Sequence, residues 1–295
     1  MLSLPLPWDR IGRAVRDPSI EVDLCGIRLP NPIGLAAGFD KTCRHLDSFG
    51  RLGFGFVVGG TITRAPRVGN PKPRIARSPR RGAIVNSMGL PNPGADAAAA
   101  HLSQIRRTAP RFASVADEDV EAASETVELL APHVEGFELN ASSPNAPWRH
   151  DGAHMGNLLA AFRSRTDLPV LLKLPPFTNE EERTRVLELA RDAIDAGASG
   201  LVSSNTIPVR DPRLATGRGG LSGAPLRELT PRIVWDVAAA TGRSVPIVAS
   251  GGISTTEDVR ACLDAGATAV QLYTGLIYRG PGILGELTRG LSAPS

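Results

Sequence analysis

The chain has 295 residues, of which 42% are hydrophobic, so it is long enough to bury a large core as one domain. Its 33 basic and 30 acidic residues leave a formal net charge of +3, which is too balanced to indicate a nucleic-acid-binding protein. We therefore expect the partner to be a small molecule.

Cysteine content and hydropathy point to the cytoplasm. Cys25, Cys43 and Cys262 lack metal-ligand spacing and cannot form a disulfide framework in so long a chain, which favours a reducing compartment. No run approaches the ~18 consecutive apolar residues of a transmembrane helix. Pro5 and Pro7 interrupt the N-terminus, which lacks the apolar core of a signal peptide. We expect a cytoplasmic protein with at most peripheral membrane contact, while the composition does not indicate an oligomeric state.

Residues 1–20 are predicted to form a short helical segment ahead of a single domain over residues 21–295. Trp8, Ile11 and Val15 share one helical stripe, which either touches a membrane surface or, as is more usual for so short a stripe, packs on its own domain. The alternation over 21–24 and 27–29, with Gly26 at the turn, predicts a hairpin that caps one end of the domain.

Apolar strands then alternate with helical patterns, which are predicted near 46–52, 94–106, 120–130, 152–164, 180–195, 226–240 and 256–265. The predicted strands are Ile33–Ala37, Phe54–Val58, Phe112–Val115, Gly136–Asn140, Val170–Lys173, Gly200–Ser204, Ile247–Ser250 and Ala269–Leu272. Apolar strands of this kind are typical of a parallel sheet buried on both faces, and eight strand–helix units predict an α/β fold, a (β/α)8 TIM barrel. A doubly wound open sheet is the alternative, but no GxGxxG motif follows the first strand.

A basic insertion follows the second strand and is rich in Pro, Gly and Arg. Its basic residues are Arg64, Arg67, Lys72, Arg74, Arg77, Arg80 and Arg81. No aromatic residues are interleaved with them, so a solvated loop or a lid is favoured over a nucleic-acid site.

Several predicted strands end in polar residues, and the active sites of such barrels lie at the C-terminal ends of the strands. The strand over 136–139 runs into Asn140-Ala141-Ser142-Ser143-Pro144-Asn145, where Pro144 restricts Ser143 to extended geometry. A polar turn is the alternative interpretation of this loop alone. Lys173 ends an apolar strand, and because a buried ammonium without a partner is costly, we expect an anionic ligand beside it.

Glycines near the last strands predict a phosphate site. Gly251 and Gly252 follow the seventh strand, and Thr274 and Gly275 follow the eighth, where phosphates commonly bind in this fold. The glycine-rich stretch 219–223 offers further backbone amides. Together these loops indicate a phosphorylated cofactor.

Five motifs in this order closely resemble the dihydroorotate dehydrogenase family: Asn31–Lys41, Gly69–Arg74, Asn140–Asn145, Gly219–Pro225 and Tyr273–Gly275. The resemblance covers roughly residue 20 to the C-terminus. It implies an FMN-dependent barrel that oxidises dihydroorotate to orotate in the biosynthesis of pyrimidines and UMP.

The resemblance also implies the residues of the site. Those implied to hold FMN are Ala37, Gly38, Lys41, Thr61, Asn140, Lys173, Ser204, Gly223, Gly252, Tyr273 and Thr274. Ser114 is assigned to the same set, at a position where the family usually has an asparagine beside the flavin. Those implied to hold the substrate are Lys41, Asn86, Ser87, Met88, Gly89, Leu90, Asn140, Asn145, Asn205 and Thr206.

The residue types suit this chemistry. Asparagine side chains both donate and accept hydrogen bonds, so they can pair with the amide edges of the substrate ring. The family divides into a cysteine-using and a serine-using branch, and Ser143 places this chain with the serine-using, quinone-dependent branch. Ser143 is therefore the expected catalytic base, and Lys41 is expected to stabilise developing negative charge.

The chain departs from the family pattern at Ser87, where arginine is expected, at Pro91, where asparagine is expected, and over residues 146–149. Two alternatives therefore stay open: a flavin enzyme acting on another dihydropyrimidine-like or secondary-metabolite substrate, and a non-catalytic FMN-binding paralogue. Only about twenty residues precede the hairpin, fewer than in the helical hood of the quinone-using branch. The electron acceptor is thus a quinone or a soluble acceptor, and we expect no advantage for a long-tailed quinone.

Overall fold

The computed structural model describes residues 14–117, 119–140 and 152–293. Its strands are β1 (Val22–Leu24), β2 (Ile27–Leu29), β3 (Ile33–Asp40), β4 (Phe56–Ile62), β5 (Ile75–Ser78), β6 (Ala83–Asn86), β7 (Arg111–Val115), β8 (Gly136–Leu139), β9 (Val170–Lys173), β10 (Gly200–Ser203), β11 (Ile207–Arg210), β12 (Arg218–Gly223), β13 (Ile247–Ser250) and β14 (Ala269–Leu272). Its helices are α1 (Leu46–Leu52), α2 (Ala95–Gln104), α3 (Val120–Leu130), α4 (Gly152–Arg165), α5 (Glu180–Asp195), α6 (Leu229–Ala240), α7 (Thr256–Asp264), α8 (Thr274–Arg279) and α9 (Ile283–Ser292).

Eight parallel strands close into a barrel in the order β3, β4, β7, β8, β9, β10, β13, β14. This confirms the predicted (β/α)8 barrel. The predicted helices fall where the structure has α1 to α7, while α8 and α9 were not predicted. Local signals explain the agreement at helix starts: the side chain of Asp119 accepts a hydrogen bond from Ala122 N at the start of α3, and Asn179 does the same for Glu182 N in α5.

Inward and outward positions alternate along the barrel strands, because side chains of a strand point to opposite faces in turn. In β8, Phe137 and Leu139 face the helices and belong to the outer core, where the Phe137 ring lies 6.4 Å from that of Phe162 in α4. The alternate residue Glu138 faces the barrel interior. Each barrel strand therefore contributes to two separate layers.

The N-terminal end of the barrel is closed by the predicted hairpin, in which β1 and β2 pair antiparallel. Leu24 and Leu29 of the hairpin are fully buried against inward-facing residues of the barrel, among them Phe56 and Phe112. Of the predicted N-terminal stripe, Trp8 and Ile11 lie outside the described residues. Val15 N donates a hydrogen bond of 2.9 Å to Thr288 Oγ1 on α9.

A four-stranded antiparallel sheet in the order β11, β12, β6, β5 is formed by the basic insertion and the segment after β10. The insertion was interpreted as a solvated loop or a lid, and none of these four strands is among the predicted ones. β5 pairs with the following strand β6, and β11 pairs with the following strand β12. The two hairpins are joined by a pairing that is distant in the chain, in which Ile84 pairs with Ser222 and Val85 with Leu221. Among the described helices, none is both long and apolar enough to cross a bilayer.

Candidate active site

A cavity of about 1130 Å³ lies at the C-terminal ends of the barrel strands and extends to the four-stranded sheet. Most of the predicted site residues line it, although they come from distant parts of the chain. The predicted residues on its wall are Ala37, Gly38, Lys41, Thr61, Asn86, Ser87, Met88, Gly89, Leu90, Asn140, Lys173, Ser204, Asn205, Thr206, Gly223, Gly252, Tyr273 and Thr274. Ser143 and Asn145 lie outside the described residues, so their roles stay predictions.

Ser114 does not reach this wall. Its side chain is fully buried, and its Oγ lies 3.0 Å from Thr61 Oγ1. Asn140 Nδ2 donates to the same Thr61 oxygen at 3.2 Å. Thr61 and Asn140 line the cavity, so Ser114 contacts the cavity wall through Thr61. This position differs from the direct flavin contact predicted for Ser114.

Lys41 follows β3 at the mouth of the barrel and is half-buried. Its ammonium donates a hydrogen bond to the Gly38 carbonyl. Burial, together with the positive charge of Arg74, lowers the pKa of Lys41 to about 8, and Asp40 opposes the shift. The Asp40 carboxylate is itself held by hydrogen bonds from Thr42 and His45. Lys41 is thus a cation at neutral pH, directed into a cavity that suits an anionic ligand.

Lys173 has a protein partner, which corrects the expectation that a ligand would neutralise it. Its Nζ lies 3.1 Å from Glu138 Oε1, and both side chains are buried in the barrel. The second oxygen, Glu138 Oε2, accepts a hydrogen bond of 2.8 Å from Gln271 Nε2. A buried ion pair of this kind is stable only when further hydrogen bonds satisfy the carboxylate, and Gln271 supplies one.

The predicted glycine loops meet at one side of the cavity. A Cβ built on Gly252 would come within 2.4 Å of Arg227 N, and one on Gly223 within 2.1 Å of Gly82 O. A side chain is therefore excluded at both positions. Gly223, Gly252 and Gly275 also border a smaller pocket of about 180 Å³ beside the main cavity. Because these glycines line the cavity, their loops can present backbone amides to the phosphate of a cofactor such as FMN.

The sheet contributes the opposite wall. Asn86 Nδ2 donates to Gly220 O at 3.4 Å, which joins the predicted substrate loop to β12. Ser87, where the family pattern has arginine, lies 2.7 Å from Thr216 Oγ1 and accepts a hydrogen bond of 3.1 Å from Asn70 Nδ2. Ser87 therefore ties the insertion to the β11–β12 turn.

Sequence reasoning missed Glu138 and Gln271. Each stands inside a short apolar strand, Glu138 between Phe137 and Leu139, and Gln271 between Val270 and Leu272. A charged or amide residue in a strand buried on both faces requires a hydrogen-bonding partner, and this was the available signal.

A closed (β/α)8 barrel with lysine and asparagine side chains and glycine loops around one cavity at its C-terminal end has the features of a TIM-barrel enzyme. The sequence profile of the family described as "Dihydroorotate dehydrogenase" matches residues 19–294. The chain belongs to the dihydroorotate dehydrogenase family.

Similar proteins agree with this assignment. The "Dihydroorotate dehydrogenase (quinone)" of Erythrobacter litoralis is 39% identical, over 98% of this chain and 86% of the relative. That of Salinispora arenicola is 40% identical, over 88% of this chain and 80% of the relative. A crystal structure of ligand-free DHODH from Eimeria tenella superposes with a TM-score of 0.84 at 30% identity, covering 98% of this chain and 89% of the other.

Proposed function

We propose that this protein oxidises dihydroorotate to orotate with FMN as the cofactor, as a step of pyrimidine biosynthesis. The observation that carries the proposal is the convergence of Lys41, Asn86, Asn140 and Asn205 with the glycine loops on one cavity wall. These groups match the carboxylate, the amide edges and the phosphate of the two ligands. Membership of the family and the names of the relatives support the same reaction.

FMN, when bound, supplies the acceptor for the hydride removed from the substrate. Gly223, Gly252 and Gly275 would hold its phosphate, because all three line the cavity and glycine loops present backbone N–H groups to phosphates. Lys173 would hold a carbonyl of the flavin ring, since the ammonium donates three hydrogen bonds and Glu138 accepts one. Ala37, Gly38, Thr61, Ser204, Tyr273 and Thr274 complete the proposed wall around the cofactor.

Lys41 would bind the substrate carboxylate, because it carries a positive charge below its pKa of about 8. Asn86, Asn140 and Asn205 line the same cavity and can each donate and accept at the ring edges. Ser143, outside the described residues, is proposed as the base that removes the proton from the carbon next to the hydride donor. A serine hydroxyl needs a further acceptor for this proton, either water or a neighbouring group.

A quinone is proposed as the electron acceptor, because the relatives carry quinone in their names. We place the enzyme in the cytoplasm with peripheral contact to the membrane in which such an acceptor dissolves. The expectation that a long quinone tail brings no advantage concerns the segment before the hairpin and stays a prediction.

Anaerobic titration of the purified yellow protein with dihydroorotate tests the function. We expect the flavin absorbance to bleach with one equivalent of substrate and orotate to appear in equal amount. Bleaching by another dihydropyrimidine but not by dihydroorotate would show that the other compound is the substrate. A bound flavin that no such compound reduces would support a non-catalytic paralogue.

The same reduced protein tests the acceptor. Reoxidation is followed with a long-tailed quinone, a tailless quinone and fumarate, in the full chain and in a chain lacking residues 1–16. We expect the two quinones to react at similar rates. A large advantage for the long-tailed quinone that disappears on truncation would contradict this expectation and assign tail binding to the N-terminal segment.

A further inference from the structure

Three polar side chains lie together inside the barrel at the base of the cavity. Glu138 and Lys173 project from the adjacent strands β8 and β9, and Gln271 projects from β14, which is opposite β8 in the ring. Glu138 has no exposed surface, and Gln271 is 2% exposed. One Glu138 oxygen accepts from Lys173 and the other from Gln271, at 3.1 and 2.8 Å. The carboxylate therefore holds two side chains at once.

The chemistry of Glu138 determines which way the Gln271 amide points. An ionised carboxylate only accepts hydrogen bonds, so the group that faces it must be the NH2 of the amide. The carbonyl oxygen of Gln271 then faces away from Glu138. This Oε1 atom is buried and has no hydrogen-bond partner within the described part of the chain. A buried acceptor of this kind destabilises the fold unless it is paired, and Gln271 lines the cavity.

Lys173 and Gln271 thus border the cavity with complementary groups. Lys173 offers the N–H donors that Glu138 does not use, and Gln271 offers one acceptor. The two side chains converge on one carboxylate, which Lys173 Nζ reaches at 3.1 Å and Gln271 Nε2 at 2.8 Å. A donor next to an acceptor matches a ligand edge in which a carbonyl adjoins an N–H, which is the pattern of an imide. The oxidised flavin ring has a single ring N–H, at N3, and carbonyls flank it on both sides.

We propose that Gln271 is a cofactor-binding residue whose side-chain carbonyl accepts a hydrogen bond from the N3–H of FMN, and that Glu138 is the positioning residue that orients Gln271 and Lys173. This inference rests on the proposed function. The substrate ring also contains an imide, but its proposed ligands include Asn86 on the four-stranded sheet. Lys173 and Gln271 instead lie on the barrel strands at the base of the cavity.

The test compares FMN with 3-methyl-FMN, in which a methyl group replaces the N3 hydrogen. Both are titrated into apoprotein, and binding is measured by the change in flavin fluorescence. Wild-type protein should bind 3-methyl-FMN at least about tenfold more weakly, the size expected for one lost hydrogen bond. Gln271→Ala removes the acceptor and makes room for the methyl group, so the preference for FMN should largely disappear.

A second variant keeps the volume of the barrel interior. Glu138→Gln introduces an amide whose NH2 can face Gln271, so that the Gln271 carbonyl turns towards it and away from the flavin. We expect weaker binding of FMN, a smaller preference over 3-methyl-FMN and a shifted absorbance spectrum of the bound flavin. Thr288→Val is the control, because Thr288 is equally buried but, among the described residues, forms its side-chain hydrogen bonds with Val15 and α9. It should lower the melting temperature without changing the preference.

An unchanged ratio of the two affinities in Gln271→Ala and Glu138→Gln would overturn the proposal. It would also be overturned if these variants lost affinity for orotate and kept the wild-type affinity for FMN. If wild-type protein binds FMN and is bleached by dihydroorotate, such results reject only the role of Gln271. If wild-type protein binds no FMN, the proposed function fails together with this inference.

Discussion

The lower and upper halves of the barrel interior are made by the same strands but have opposite character. In the lower half, Phe112, Leu171 and Ala269 pack with the N-terminal hairpin in an apolar cluster. Two residues further along β7, β9 and β14, the inward positions are Ser114, Lys173 and Gln271. Every second side chain of a strand faces the same side. The apolar and polar layers are therefore two residues apart along each strand. Apolar packing and the polar base of the cavity thus occupy successive layers of one barrel.

The two lysines of the upper half differ in how their positive charges are balanced. Lys173 is buried and paired with Glu138, so its charge is balanced within the protein. Lys41 is half-buried, donates to a carbonyl, and has its pKa lowered by burial and by Arg74. Lys41 is therefore the lysine whose charge a bound anion would balance, while Lys173 is held in place before any ligand arrives.

If the layers are separate, a change at the upper end should alter rates and leave folding intact. Ser143→Ala should slow flavin reduction by roughly 10²–10⁴-fold, because a positioned base contributes about that much. Flavin content, orotate affinity and melting temperature should stay near wild type. Rapid-mixing measurement of reduction under anaerobic conditions checks this, with Ser142→Ala as the neighbouring control. Wild-type speed in Ser143→Ala would remove Ser143 as the base.

A change at the lower end should have the converse effect. Phe112→Ala leaves a cavity in the apolar layer and should lower the free energy of unfolding by about 3–5 kcal/mol. FMN affinity and the reduction rate of the folded protein should be retained. Ser114→Ala, two residues along the same strand, is the matched control and should cost about 1 kcal/mol, through its hydrogen bond to Thr61. Denaturant titration measures both, and loss of FMN affinity in Phe112→Ala would show that the layers are coupled.

The smallest expected effect is a pH dependence of substrate capture. Lys41 is protonated below its pKa of about 8 and loses its charge above it. Attraction for the anionic substrate is therefore present at lower pH and is lost as the pH rises. The kcat/KM for dihydroorotate should fall by up to about tenfold per pH unit above pH 8, since this parameter reports the free enzyme. Lys41→Met should abolish the fall of kcat/KM above pH 8. If the same fall persists in Lys41→Met, another titrating group causes it.

The sequence by itself was sufficient for the barrel and for much of the cavity wall. Strand and helix patterns extend over a few neighbouring residues, so the eight units and helices such as α3 and α5 were located from local periodicity. Because parallel strands end at one edge of a barrel, residues that follow them, such as Lys41 and Asn140, were predicted to meet.

Tertiary structure alone decided which buried groups pair. Glu138 and Gln271 are 133 positions apart and meet because their strands are opposite each other across the barrel, a relation that no local pattern encodes. For the same reason an anionic ligand was expected to balance the charge of Lys173. In the structure, Glu138 on the adjacent strand balances it. The pairing that joins the insertion to the segment after β10 was also not predicted, because four strands of the barrel lie between β6 and its partner β12 in the chain.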